Sequence, residues 1–255
     1  MEKITLEDVQ RSLNSNTNIN NLFKTALYEC AFTLSDNNYD LIDFNNLCKN
    51  AKIIKKNLDL KPFSLEGNIL YIDGNNINNC QDITRELFIE VGLPKIDSHY
   101  NSTVIGYKEI VANNLLGNIS DNQENIEEFI LTDALIKIIG LAPFEEMLKV
   151  KNIDPIVIKM TEMGMDTKRI FRILNNAEIV SKNKTVSSSN LAKASEELID
   201  AFKDFRPNAT QQDIILFEAS IPTNNILFGK QRGSHLGLDD IHIPVFQNHK
   251  KSQVA

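Results

Sequence analysis

The chain has 255 residues, 42% of them hydrophobic and 24% charged, with a formal net charge of −7. That length and balance give a core-forming globular chain of one large or two small domains. The acidic total runs against the basic composition of most proteins that coat nucleic acid. Three cysteines (Cys30, Cys48 and Cys80) form neither a C-x-x-C pair nor an even set, which excludes a disulfide framework and points to a reducing compartment.

Taken in chain order, most segments carry helical period. Thr5-x-x-Asp8 is a capping box that opens a first helix, and Leu22, Ala26, Leu27 and Cys30 stripe a second. Phe63–Ile77 contains Ile69-Leu70-Tyr71-Ile72 followed by Asp73-Gly74, a hairpin signal with its turn at the last two residues. Ser120-x-x-Gln123 caps a helix running to Gly140, with Phe129, Ala134, Leu135 and Ile138 at apolar positions. Pro143 and Asp154-Pro155 suit the first turns of two further helices. Ser189–Phe205 and Thr210–Glu218 complete the helices, the latter opened by Thr210-x-x-Asp213. Ile241–Val245 alternates like a strand that Pro244 confines to an edge.

The expected fold is therefore mainly α, with a small β-hairpin near 63–77. Polar stretches at Pro94–Thr103 and Ser181–Ser189 read as linkers. Residues 1–93 form an expected N-terminal lobe with the hairpin, 104–221 a helical C-terminal lobe, and 222–255 an irregular C-terminal arm. Met1-Glu2-Lys3-Ile4 lacks the pattern of a signal peptide, and the apolar-rich run Phe129–Leu141 is broken by Thr132, Asp133 and Lys137. The expectation is a cytoplasmic protein, including a host cytoplasm, with no membrane partner. The 31 asparagines, with no Trp, read as nucleotide bias rather than chemistry.

Charge is segregated. Lys49–Lys61 carries five lysines against Asp59, and Lys149–Lys193 carries nine basic residues against four acids. Pro62–Glu146 between them holds fourteen acids and four bases. Segregated basic segments create a local field that holds anions. Lys49, Lys52, Lys55 and Lys56 from the first, with Lys168, Arg169, Arg172, Lys182 and Lys184 from the second, are the candidate nucleic-acid-binding residues. The alternative for each group is a solvated helix face.

The sharpest pattern is Met160–Leu174. Gly164 ends one helix at positive φ, Asp166 caps the next, Ile170, Ile173 and Leu174 face a core, and Lys168, Arg169 and Arg172 lie outside. With Gly164 in the turn and Met165, Ile170 and Ile173 at apolar positions, it resembles a DNA-binding helix-turn-helix. That resemblance implies a sequence-specific regulator with Asp166–Leu174 as recognition helix. Gly164, Asp166, Lys168, Arg169 and Ile170 are also similar to a Gly–aromatic–Asp–x–basic–Arg–aliphatic stretch of phlebovirus and tenuivirus nucleoproteins, with Met165 at the aromatic position. The first ninety residues resemble tospovirus and orthobunyavirus nucleoproteins, with Phe63–Ile77 and Asp82–Val91 as the short β-element and following helix. The nucleoprotein resemblance implies a non-enzymatic, self-assembling viral protein that coats RNA, in cytoplasm or virion. In that reading the terminal arm docks on a neighbouring subunit.

No Walker loop, zinc-finger spacing, H-E-x-x-H, G-x-S-x-G or kinase signature is present. Gly229–Gly233 reads as an exposed turn in preference to a phosphate loop, and His235, Asp239, Asp240 and His242 as solvated rather than metal-ligating. No cofactor and no enzymatic activity are expected. The third reading is an acidic interaction, scaffold or effector module without nucleic acid, which the acidic total favours.

Overall fold

The computed structural model describes residues 3–54, 63–66, 69–73, 80–96, 98–116, 125–182 and 188–221. The protein is mainly helical: the described residues form eleven α-helices, one π-helical turn and a three-stranded sheet.

Local hydrogen bonding explains where several helices begin. At α1 (Leu6–Ser15) the Asp8 N–H donates to Thr5 Oγ1 at 3.3 Å while Thr5 N–H donates to the Asp8 carboxylate at 2.9 Å. Those bonds from the Thr5 side chain and backbone hold the Asp8 carboxyl below its ordinary range. α2 (Asn21–Asp36) is capped by Asn20, which accepts from Phe23 N–H at 3.1 Å. Its inner face is Phe23, Ala26, Leu27, Cys30, Ala31 and Leu34. Leu22, expected on that stripe, is exposed, because the face is centred one position later on Phe23.

Two asparagines do structural work at the base of the first basic segment. Buried Asn16 donates from Nδ2 to the carbonyls of Cys48 and Ala51, both at 2.9 Å, and accepts from Asn18 N–H at 2.8 Å. Asn45 accepts from Ser12 Oγ at 2.7 Å inside the core. These bonds join the end of α1 to α3 (Ile42–Asn50) and fix the chain's exit into β1 (Lys52–Ile54). The first basic segment is therefore not one helix face: Lys49 lies in the last turn of α3 and Lys52 in a strand.

β2 (Phe63–Glu66) pairs antiparallel with β3 (Ile69–Asp73), and β1 lies parallel to β3 on its other side. The hairpin connects across the two residues between Glu66 and Ile69, not at Asp73-Gly74. Asp73 stays in β3 opposite Ile54, so Leu70 and Ile72 keep the alternation that buries both. α4 (Cys80–Leu87) runs into the π-helical turn Phe88–Gly92, where Leu93 N–H donates to Phe88 O at 2.9 Å.

α5 (Asn101–Leu116) begins inside the expected linker at 94–103, and the residue before that helix's approach, Ile96, is buried. This helix buries Ser102, Thr103, Val104, Gly106, Tyr107, Lys108, Ile110, Val111 and Ala112, so it is enclosed on several sides. It crosses α6 (Ile126–Ile139) at Gly106, where an added Cβ would lie 2.1 Å from the Glu128 carbonyl oxygen. Buried Lys108 donates to Ile89 O at 3.1 Å, and burial pushes its pKa down, opposed by the charge of Glu90. α6 starts at Ile126; Ser120 and Gln123, its expected caps, lie outside the described residues. Asn125 occupies the cap position but turns its side chain to Glu109 Oε1, at 2.8 Å.

Pro143 and Pro155 stand in the first turns of α7 (Ala142–Val150) and α8 (Asp154–Glu162), as their fixed φ favours. Gly164 has φ +88°, and Met165 N–H donates to Met160 O at 3.1 Å, closing α8. α9 (Thr167–Lys182), α10 (Ser188–Phe205) and α11 (Gln211–Ser220) follow, the last with the Thr210–Asp213 capping box. Buried hydrophobic residues from Val9 to Ile221 form one cluster. The expected strand at 241–245 and the arm at 222–255 lie outside the described residues.

Candidate nucleic-acid interface

The second basic segment becomes α9, and its helical period divides it cleanly. At about 100° per residue, Lys168, Phe171, Arg172, Asn175, Ile179 and Lys182 fall within an arc of about 100°. All six are exposed, while Ile170, Ile173, Leu174 and Val180 on the opposite arc are buried. Asp166 opens the helix by accepting from Arg169 N–H at 3.0 Å. The outer arc contains no carboxylate.

Carboxylates beneath that arc seat the helix. Buried Glu178 accepts from Ser102 N–H at 2.7 Å, capping the N-terminus of α5 from α9. Ser181 Oγ donates to the buried Glu128 at 2.5 Å, tying the other end to α6.

The expected basic residues divide into engaged and solvated groups. Arg169 was expected outside, but its side chain is only 15% exposed. Its Nε donates to Glu197 at 2.9 Å, a terminal nitrogen donates to Asp204 at 2.6 Å, and the guanidinium sits 5.3 Å from the Phe205 ring centroid. Arg172 also reaches Glu197, at 2.5 and 3.1 Å. Helix α10 thus supplies two carboxylates that neutralise two of the three basic residues in the first half of α9. Lys168 is exposed and has no ion-pair partner among the described residues. Lys182 is 72% exposed and 3.6 Å from Glu178. Lys49 and Lys52 are exposed, whereas Lys55, Lys56 and Lys184 lie outside the described residues.

The two basic segments belong to different layers. α3 packs on α1 and β3, whereas α9 packs on α5, α6, α8 and α10. Sequence reading missed Tyr100, whose ring stacks on Phe171 with centroids 6.3 Å apart and planes 25° apart. Nothing in the local pattern of either residue marks that pairing.

Other chemistry is sparse in the described part. A cavity between α5, α6, α9 and α10 measures about 10 Å³, with Thr103, Thr132 and Leu135 in its wall, and has room for no more than a water. Cys30 Sγ donates to Thr84 O at 3.1 Å, and burial pushes the Cys48 thiol up to about 12, far from a reactive thiolate. Among the described residues no group of three or more His, Cys, Asp or Glu side chains is arranged to hold a metal. The segment with Gly229–Gly233, His235, Asp239, Asp240 and His242 lies outside them. No helix among the described residues is long and apolar enough to cross a membrane. Comparison with known proteins returns no matching family model, curated protein or solved structure.

Proposed function

We propose that the protein is a non-enzymatic nucleic-acid-binding protein whose interface is the outer arc of α9, with RNA as the ligand that its nucleoprotein resemblance favours. The observation that carries this reading is an exposed helical face with Lys168 and Lys182 at its two ends and no carboxylate within it, in an otherwise acidic chain. Fourteen residues of α-helix separate the two lysines by about 21 Å, a few nucleotides of an extended strand. Binding of this kind reads phosphates and carries little sequence information. The helix-turn-helix reading needs arginines free to meet base edges, and Arg169 and Arg172 are instead bonded to Glu197 and Asp204. That engagement favours backbone coating over base reading.

Purified protein with bound nucleic acid should show excess absorbance on the short-wavelength side of the protein's own near-ultraviolet band that nuclease removes, a signal made plain by the absence of Trp. In fluorescence anisotropy, Lys168→Gln with Lys182→Gln should weaken unrelated single strands alike and flatten the salt slope by about 1.4, from two lost contacts of about 0.7 each. A wild-type protein that binds neither single strands nor duplexes at low salt refutes this function and leaves the interaction-module reading in its place.

A specific feature supports self-assembly as well. α11 exposes Ile215 and Leu216, at 55% and 61%, just before the segment 222–255. Burying either side chain against another subunit would gain about 1.5–3 kcal/mol.

A further inference from the structure

We infer that the Tyr100–Phe171 stack is a base-binding platform, which makes single-stranded rather than duplex nucleic acid the ligand of α9; this inference rests on the function proposed above. Phe171 lies 42% exposed at the middle of the outer arc, although it is large and apolar and the opposite arc of the same helix is buried. Tyr100, half-buried against the core, backs it from the N-terminal approach of α5, with centroids 6.3 Å apart. Tyr100 N–H in turn donates to Ser98 Oγ at 3.0 Å, so the backing ring stands on an ordered turn. A ring packed on a second aromatic yet 42% exposed is available for stacking by an unpaired base at low ordering cost.

The neighbours on the arc complete the chemistry. Lys168 precedes Phe171 by one turn and presents an unpaired ammonium, suited to the phosphate beside a stacked base. Asn175 follows by one turn with an exposed amide, a donor and acceptor for a base edge. Cation, aromatic and amide thus follow one another along a single helix face in the order of one nucleotide's phosphate and base. A duplex hides its base faces, so only an unpaired strand meets all three.

The test compares three ligands of equal phosphate number in anisotropy: a single-stranded RNA, an abasic sugar–phosphate strand and a duplex. Phe171→Leu keeps an apolar side chain at an exposed site and removes the ring. It should weaken the single-stranded RNA about 5- to 150-fold and leave the abasic strand unchanged. Phe171→Trp, the sole tryptophan in the chain, should retain affinity, and its fluorescence should be quenched by base-bearing strands but not abasic ones. Equal losses on RNA and abasic strand, or no loss on either, overturn the platform while the lysine variants can still uphold phosphate binding. Unquenched Phe171→Trp on saturating RNA overturns it also. A wild type that binds none of the three ligands overturns both the platform and the function beneath it.

Discussion

Glu197 holds both arginines of α9, and replacing it separates stability from binding. In Glu197→Gln the side chain keeps its shape, but one carboxylate oxygen becomes an amide donor facing guanidinium donors. The Arg169 contact, with side chains 15% and 14% exposed, is a partly screened charge-assisted bond. Such bonds contribute about 1.5–3 kcal/mol, and Arg169 keeps Asp204 and the Phe205 face, so a loss of about 2 kcal/mol is expected. For a chain of this size that corresponds to a fall in Tm of about 4–8 °C in thermal unfolding followed by far-ultraviolet circular dichroism. Arg172, whose side chain is 55% exposed, is released to solvent on the outer arc. Nucleic-acid affinity at a temperature where the variant stays folded should therefore rise, with a salt slope steeper by about 0.7 for one added phosphate contact. A variant that is less stable but binds with unchanged affinity and slope refutes the placement of the strand along this arc. Unchanged Tm refutes the role of Glu197 as the clamp between α9 and α10.

Two further outcomes test the fold and the assembly. Glycine-to-alanine in a helix ordinarily stabilises by about 1 kcal/mol, but Gly106→Ala should invert that sign, because the new Cβ meets the Glu128 carbonyl oxygen at 2.1 Å and Thr132 Oγ1 at 2.3 Å. Overpacking against backbone should cost about 3 kcal/mol and lower Tm by about 6–12 °C; an unchanged or higher Tm refutes the close crossing of α5 and α6. Ile215→Gln with Leu216→Gln should reduce the mass seen by light scattering while preserving the helical circular-dichroism signal, since both side chains are exposed on the single chain. A monomeric wild type, or an unaltered mass, removes α11 as an assembly surface.

What the sequence determined by itself is what neighbours along the chain can settle. The Thr5–Asp8 and Thr210–Asp213 boxes, the prolines at the starts of α7 and α8, and the turn from Gly164 to Asp166 all close hydrogen bonds or fix dihedrals within a few residues. The alternation that buries Leu70 and Ile72 and the period that buries Ile170, Ile173 and Leu174 are equally local. α5 escaped that reading because it is enclosed on several sides and so lacks the polar face that gives a period. β1 escaped because three residues acquire strand character only by lying parallel to β3, a strand that follows β2 in the chain but pairs with β1 directly. The fate of the charges was decided at the same level. Local period placed Lys168, Arg169 and Arg172 together, but only the packing of α10 on α9 brings Glu197 and Asp204 to the arginines and leaves Lys168 to solvent. Only the approach of α5 to α9 sets Tyr100 behind Phe171. A helix fixes which of its own side chains share a face, whereas the partner each side chain meets depends on how whole helices cross.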